Sequence, residues 1–299
     1  MPEMHHDLPF HVKMTTGVQY GTAEDGTPLL LDIAYPKETP GMPTPEKAPL
    51  IIEVHGGGWH LGERSIGRGL LMPLQGFCYA SIDYRLSDVA KFPAQIHDVK
   101  AAIRWARAHA EQYHIDPDRI GLHGGSAGGH LVTLAASTAD LPELEGNCGW
   151  PSYSTAVQAV AAVNPPTDLS VSIDAWPWLH QPDSPGEWLF GGPLSEHADL
   201  VKSAGAMTYV HADAPPHLLI HGTEDDIVPF SQAEMLHNAL VELGVVSTLV
   251  AFDGQDHGLY GYTVSVWEQV MPFFKRHLGQ PKNYGDPSVI RVIEGRTDA

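Results

Sequence analysis

The sequence predicts an α/β fold: a mostly parallel central sheet of about eight strands with helices on both faces. The 299 residues are 43% hydrophobic, which suits a large core. Short apolar runs alternate with longer helical patterns from about residue 49 to residue 278, and this alternation is typical of βαβ units. Two apolar runs joined by a turn precede them. The whole chain, 1–299, is therefore expected to form a single α/β domain.

The strands are predicted from short runs rich in β-branched residues. Six runs are expected to form the parallel part of the sheet, at 50–55, 77–84, 119–124, 156–164, 217–222 and 247–252. Two earlier runs, 17–21 and 29–36, flank the turn sequence AEDGTP and predict an antiparallel hairpin at the sheet edge. Asp83 and Arg85 are expected to form an ion pair near the sheet.

Helices are predicted where apolar residues recur at helical spacing, at 93–113, 126–137, 231–243 and 264–278. Residues 170–210 show neither period and are too long for a simple connection. They are expected to form a small irregular cap or substrate-binding insertion. The last twenty residues, 280–299, are expected to form an irregular tail.

The amino-acid composition disfavours several classes of binding partner. With 17 Lys and Arg against 36 Asp and Glu, the net charge is −19, and this field repels nucleic acids and anionic membrane surfaces. Cys78 and Cys148 lack the spacing of a metal or redox pair. No leader-like segment or long apolar run occurs, so a cytoplasmic location is expected. The expected partner is a small molecule, and the sequence leaves room for a homodimer.

A G-x-S-x-G motif, 124-GGSAG, lies between a predicted strand and a predicted helix. A serine on such a tight strand-to-helix turn needs Gly124 and Gly128, because side chains there would crowd it. The helix N-terminus supplies backbone donors suited to an oxyanion. For the isolated motif, a glycine-rich turn with an N-cap serine is an equally good interpretation. Its context favours Ser126 as a nucleophile and the amide of Ala127 as an oxyanion donor.

The second motif is 55-HGGGW, at the end of a predicted strand. Three consecutive glycines indicate unusual dihedrals or close backbone approach, as in an amide-lined anion cradle. Gly57 and Gly58 are therefore predicted to complete the oxyanion hole. A phosphate loop is the competing interpretation, but no G-K-[ST] follows.

A serine nucleophile needs a histidine base and an orienting carboxylate. The chain has 18 histidines, so the position of a histidine in the predicted fold decides whether it could act as the base. His257 follows the last predicted strand, where ligands bind in open α/β sheets. Glu224, Asp225 and Asp226 follow the preceding strand, and the order Ser, acid, His is the one expected for this kind of fold. The pattern alone does not select which of the three acids orients the histidine.

Five motifs occur together over roughly residues 28–278: 55-HGGGW, 83-DYRL with 92-FPAQIHDVKAAIRW, 116-DPDRIGLHGGSAGGHL, 215-PPHLLIHGTEDDIVPF and 254-GQDHG. In this combination the chain resembles α/β-hydrolase-fold serine esterases of the hormone-sensitive-lipase-like and acetyl esterase branch. It is most similar to bifunctional feruloyl and acetyl xylan (carbohydrate) esterases. The resemblance implies Asp225 as the orienting acid, four residues after His221, and His257 as the base.

These observations together predict a serine carboxylesterase with a Ser126, His257, Asp225 triad, no cofactor and no metal. Its expected substrates are neutral short-chain acyl or aryl esters, because the negative field disfavours anionic ones. Arylformamidase or another amide hydrolase is the alternative, and a non-catalytic ligand receptor is the least favoured. The expected substrate-binding side chains are Trp59, Trp176, Trp178 and Trp188. For the last three, simple closure of a loop is an equal alternative.

Overall fold

The computed structural model describes residues 3–8, 12–37, 46–261, 264–279 and 289–293. Within them, ten strands form one sheet in the order β1-β2-β3-β5-β4-β6-β7-β8-β9-β10. The strands are β1 (Met4–Leu8), β2 (Val12–Thr22), β3 (Pro28–Pro36), β4 (Ala48–Val54), β5 (Cys78–Ile82), β6 (Ile115–Gly125), β7 (Ala159–Val163), β8 (His217–Gly222), β9 (Ser247–Phe252) and β10 (Val289–Ile293). The pairs from β5 through β10 are parallel, whereas β1, β2 and β3 pair antiparallel. The α/β prediction is confirmed.

The sheet has ten strands rather than about eight, and both extra strands lie at its edges. The eight expected strands correspond to β2 through β9. The strand β1 has the sequence MHHDL and carries no apolar run that would predict it. The strand β10 falls inside the tail that was expected to be irregular, and it pairs with β9 from Val289 opposite Thr248 to Ile293 opposite Phe252. Residues 280–288 and 294–299 of that tail lie outside the described residues.

Six α-helices occur among the described residues: α1 (Ala94–Ala108), α2 (Ala127–Ser137), α3 (Pro185–Phe190), α4 (Ala198–Ala204), α5 (Ser231–Glu242) and α6 (Val264–His277). Alternate residues of β4 face opposite sides of the sheet. Leu50 and Ile52 pack with the core that α1, α2 and α5 cover, whereas Ile51 packs with the core that α6 covers. The sheet is therefore buried on both faces, as parallel sheets require. No helix in the described part of the chain is long and apolar enough to cross a membrane.

The expected Asp83–Arg85 ion pair does not form. Arg85 instead pairs with the fully buried Asp98 of α1, with Nη2 2.7 Å from Oδ1, and its backbone N–H donates to Asp98 Oδ2 at 2.8 Å. Asp83 pairs with Arg64, whose Nε also contacts Asp32 at 3.0 Å. The two residues follow the end of β5, where the chain leaves the sheet, so each side chain meets a different element. Arg85 thereby anchors α1 to the end of β5.

The segment 170–210 contains short helices that its sequence pattern does not reveal. The helix α3 has a single turn and a half, too short for a 3.6-residue period to repeat. Its boundaries are nevertheless encoded: the Ser184 hydroxyl accepts a hydrogen bond from the Glu187 N–H at 3.2 Å, Pro185 occupies the first turn, and Gly191 ends the helix with φ +85°. A serine followed three residues later by glutamate is a capping box. This signal predicts α3 where periodicity cannot.

Three of the fully buried histidines, His123, His130 and His217, have pKa values that burial lowers strongly. Burial lowers the pKa of each to about 4, whereas an unfolded histidine titrates near about 6.5. Between these values the unfolded chain binds more protons than the folded one, so stability rises with pH through this window. The stability that the neutral histidines contribute is fully present above about pH 6.5 and is lost as the pH falls towards 4.

We expect the variant His217→Phe to lose less stability on acidification than the unchanged protein. Each of these three histidines contributes about 2 kcal/mol of destabilisation between pH 7 and pH 5, and the phenyl ring removes the contribution of His217. Chemical denaturation at both pH values measures the difference. The control is His114→Asn at an exposed position whose φ of +55° suits asparagine. If His217→Phe and His114→Asn show the same pH dependence, the linkage assigned to His217 is wrong.

Candidate active site

Ser126 occupies the turn between β6 and α2 in a backbone conformation that few side chains adopt. Its φ and ψ are 53° and −122°, and holding a residue there costs about 1–3 kcal/mol. Two hydrogen bonds maintain the conformation: the Ser126 N–H donates to Val163 O at 2.8 Å, and His130 N–H donates to Ser126 O at 2.9 Å. The turn therefore holds the half-buried hydroxyl at the carboxyl edge of the sheet.

The glycines of 124-GGSAG allow two backbones to touch. A Cβ on Gly128 would overlap the carbonyl oxygen of Val54, and one on Gly124 would lie 2.6 Å from the Gly128 carbonyl. No real side chain tolerates such distances, so the first turn of α2 rests directly on the end of β4. The next residues of the chain after β4 are 55-HGGGW. This contact brings the glycine turn beside the serine.

Ser126, His257 and Asp225 form one hydrogen-bonded chain. His257 Nε2 lies 3.0 Å from Ser126 Oγ, and His257 Nδ1 lies 2.7 Å from Asp225 Oδ2. The carboxylate of Asp225 is fully buried, and the imidazole is 18% exposed. Glu224 and Asp226 are exposed. Of the three acids in this loop, the structure thus joins Asp225 to His257.

Asp225 is held as an anion by several donors. Its Oδ1 accepts the backbone N–H groups of Ile227 at 3.0 Å and Val228 at 2.8 Å. Its Oδ2 also lies 3.3 Å from Nε2 of the buried His221. Burial alone would raise the pKa of Asp225, but the hydrogen bonds from His221, His257 and Val228 outweigh it and lower the pKa well below its usual range. The carboxylate therefore stays ionised beside the imidazole.

Asn164 is a site residue that the sequence reasoning missed. It follows β7, is fully buried and has a φ of +46°. Its amide nitrogen donates to His257 O at 3.2 Å, and its amide oxygen accepts Gly222 N–H at 3.3 Å. A Cβ on Gly222 would overlap the Gln255 carbonyl, so the loop of His257 lies directly against the end of β8. The signal was an asparagine at a strand end, since asparagine tolerates positive φ.

The turn of 55-HGGGW leaves amide groups unused. Gly57 and Gly58 have φ values of +111° and +59°. The carbonyl of Gly57 accepts the N–H groups of His60 at 3.1 Å and Leu61 at 2.9 Å. Within the described residues, the N–H groups of Gly57, Gly58 and Ala127 have no hydrogen-bond acceptor; that of Ala127 is free because it opens α2. These three amides are available to an anion near Ser126.

The structure corrects two of the four expected substrate-binding tryptophans. Trp59 and Trp176 are only 2% and 1% exposed and belong to the hydrophobic core, so neither offers its ring to a ligand. Both indole N–H groups are used: Trp59 Nε1 donates to His130 Nδ1 at 3.0 Å, and Trp176 Nε1 donates to Ile227 O at 2.7 Å. Trp178 is half-buried, and Trp188 is 37% exposed.

Segment 170–210 packs on the loops of the site. Pro185 fills the space beside Gly58, where a Cβ would lie 3.2 Å from Pro185 Cβ. The ring of Trp188 lies 4.5 Å from that of His60, and its carbonyl accepts a hydrogen bond from Lys91 at 2.8 Å. The helix α3 is thereby held against the glycine turn. No group of three or more metal-ligating side chains with suitable geometry occurs in the described ranges.

Comparison with known proteins finds a family model and curated esterases that are similar to this chain. Residues 31–240 match the BD-FAE family. The chain is 35% identical over 247 residues to Esterase LipQ of Mycobacterium tuberculosis (strain ATCC 25618 / H37Rv), covering 81% of this chain and 56% of LipQ. It is 35% identical over 225 residues to Esterase LipC of the same organism, covering 72% of this chain and 52% of LipC. The chain thus spans about half the length of these curated relatives.

Two similar solved structures are matched by this chain over nearly their whole length. A truncated form of a carbohydrate esterase from gut microbiota superposes with a TM-score of 0.78 at 30% identity, over 89% of this chain and 96% of that chain. The native esterase Est2 of the Planctomycetes species Thermogutta terrifontis superposes with a TM-score of 0.71 at 26% identity, over 89% of this chain and 94% of that chain.

Proposed function

This chain belongs to the BD-FAE family of α/β-hydrolase esterases, and on that premise we propose that it is a serine carboxylesterase with Ser126 as its nucleophile. The observation that carries the proposal is the hydrogen-bonded chain from Ser126 through His257 to the buried Asp225. Such a chain lets a serine hydroxyl react at neutral pH, because the imidazole accepts its proton during the attack.

In the acylation step, Ser126 Oγ attacks the ester carbonyl carbon and His257 Nε2 takes the hydroxyl proton. Asp225 holds the Nδ1–H of the ring, which fixes the tautomer with Nε2 free, and its charge stabilises the imidazolium that forms. The donors around Asp225 keep the carboxylate ionised for this role. The imidazolium then gives its proton to the leaving alcohol, and an acyl-enzyme on Ser126 remains.

The negative oxygen of the tetrahedral intermediate needs donors, and the amides of Gly57, Gly58 and Ala127 supply them. Loss of one such donor commonly lowers the rate by about 10²–10³-fold. In deacylation a water molecule attacks the acyl-enzyme, His257 takes its proton, and the same amides bind the second oxyanion. Ser126 regains its proton from His257 as the carboxylic acid leaves. His257 carries each proton between Ser126, the water molecule and the leaving alcohol, and the amides bind both oxyanions, so the mechanism uses no cofactor.

The surface beside the glycine turn favours neutral esters with an apolar acyl or aryl group. Leu61, whose backbone contacts Gly57, is 65% exposed, and Trp188 is 37% exposed over His60. Apolar side chains grouped at a reactive centre are typical of small-ligand sites. The net charge of −19 adds to this preference because it disfavours anionic substrates. We therefore assign segment 170–210 the role of a substrate-binding insertion and Trp188 that of its contact residue.

Ser126→Ala is expected to abolish hydrolysis of p-nitrophenyl acetate while the thermal melt changes little, because only the hydroxyl is removed. Initial-rate assays and a melting curve measure both. A fluorophosphonate probe should label the unchanged protein and leave the variant unlabelled. Retained turnover in the variant would refute the proposal, and absence of labelling in the unchanged protein would support a non-catalytic receptor instead.

Asp225→Asn is expected to lower kcat by about 10⁴-fold, because an amide at this position favours the wrong imidazole tautomer. The matched control is Asp226→Asn, which removes the same charge from an exposed position next along the chain and should retain most activity. Both variants are compared on p-nitrophenyl acetate at one pH. A larger loss for Asp226→Asn would show that the wrong acid has been assigned.

Trp188→Ala is expected to raise KM for methyl ferulate by about 5–10-fold, the effect of losing one aromatic contact of about 1–1.4 kcal/mol. KM for p-nitrophenyl acetate should change less than about twofold, because the acetyl group is too small to reach the indole. The control is Trp150→Ala, since Trp150 is 40% exposed and lies outside the site. Acyl esters from acetate to laurate, acetylated xylan and N-formylkynurenine complete the panel. Equal KM changes for all substrates would contradict the role of Trp188.

A further inference from the structure

We propose that Trp59 and His130 form a positioning pair that holds the two parts of the oxyanion hole at a fixed separation. The inference rests on the proposed esterase function and adds two residues that do not touch the substrate. Two amides of the hole, those of Gly57 and Gly58, belong to the glycine turn, and the third, that of Ala127, belongs to α2. These parts are far apart in sequence, so their spacing depends on contacts between the glycine turn and α2 in addition to the contact of Gly128 with the end of β4.

The pair joins these two parts directly. Trp59 is the residue after Gly58, and His130 lies three residues after Ala127 in the first turn of α2. Trp59 Nε1 donates to His130 Nδ1 at 3.0 Å, and the rings meet edge to face at 5.3 Å and 89°. His130 is fully buried and Trp59 is 2% exposed, so water does not compete for the bond.

The histidine is fixed from its other side as well. An indole N–H only donates, so His130 Nδ1 accepts and its Nε2 carries the proton. That proton is donated to the Ala204 carbonyl, 2.7 Å away, at the end of α4. Burial lowers the pKa of His130 to about 4, which keeps this neutral tautomer at neutral pH. The glycine turn, α2 and the insertion are thus connected through one imidazole.

The backbone of Trp59 argues against simple filling of the core. Its φ is +59°, and it follows two glycines that also have positive φ. Glycine or asparagine adopts this conformation with less strain than a bulky aromatic residue. The Trp59 carbonyl accepts Ser87 N–H at 2.8 Å, which helps to hold the strained residue. A tryptophan at this position is explained by what its side chain does, namely by its directed bond to His130.

Trp59→Phe tests the pair because it keeps an aromatic ring and removes the N–H. We expect kcat for p-nitrophenyl acetate to fall by about 10–100-fold with KM within about twofold, because misplaced oxyanion donors weaken binding of the transition state and not of the substrate. Discrimination between p-nitrophenyl acetate and its thiono analogue should also decrease, since a displaced hole distinguishes oxygen from sulfur less well. A purely structural role would lower the melting temperature and leave this ratio unchanged.

His130 is tested from the other side with two variants. His130→Gln offers an amide oxygen as acceptor and an amide nitrogen as donor, so it should retain most of kcat. His130→Leu offers neither and should behave like Trp59→Phe. If Trp59→Phe does not fold, the contrast between the Gln and Leu variants still decides the question, because glutamine and leucine are both close to histidine in size.

The matched control is Trp105→Phe, at a tryptophan of α1 that is 1% exposed and does not contact the site. It should lose stability and keep both kcat and the oxygen-to-sulfur ratio. The positioning pair is refuted if Trp59→Phe keeps both as well, or if His130→Leu equals His130→Gln in kcat. These comparisons are made once Ser126→Ala has been shown to abolish activity. Failure of the positioning pair is therefore distinguishable from failure of the esterase proposal.

Discussion

The close contact between the first turn of α2 and the end of β4 is the constraint on which the site depends. Gly128 rests on the Val54 carbonyl with no room for a Cβ, and this approach forces the left-handed backbone of Ser126. The same contact places the amide of Ala127 beside the glycine turn that follows β4. The proposed nucleophile and oxyanion donors therefore come together through one backbone contact, which the hydrogen bonds of Ser126 to Val163 and His130 maintain.

The insertion of residues 170–210 acts as a support of the site as well as a surface over it. Three separate contacts reach three different elements of the site. Ala204 O accepts a hydrogen bond from His130 of α2, Trp176 donates to Ile227 beside Asp225, and Pro185 packs against Gly58 in the glycine turn. A freely moving lid would break all three. These three contacts hold the insertion and the loops of the proposed triad together as one packed unit.

Local backbone requirements made the serine and glycine motifs predictable, because only glycine fits the turns around Ser126 and Gly57. Hydrophobic periodicity likewise predicted the sheet and its two helical faces. The choice of Asp225 was not local: three carboxylates share one loop, and only the family resemblance selected one. Burial depends even less on the local sequence. A tryptophan shows the same sequence pattern in a core as in a pocket, and for this reason Trp59 and Trp176 were wrongly expected to bind substrate. Asn164 was missed because its partners come from two distant loops.

Buried indoles differ from other large core residues because their single N–H needs a partner in a fixed direction. Leucine or phenylalanine fills volume and tolerates small rotations, whereas Trp59 and Trp176 each fix one acceptor at hydrogen-bond distance. The acceptors belong to α2, the helix that follows Ser126, and to the loop that carries Asp225. Core packing and the geometry of the proposed active site are therefore coupled. Substitutions at such core positions are expected to change the alignment of donors around Ser126 before they unfold the chain, because the lost bond is directional while most of the apolar contact area remains.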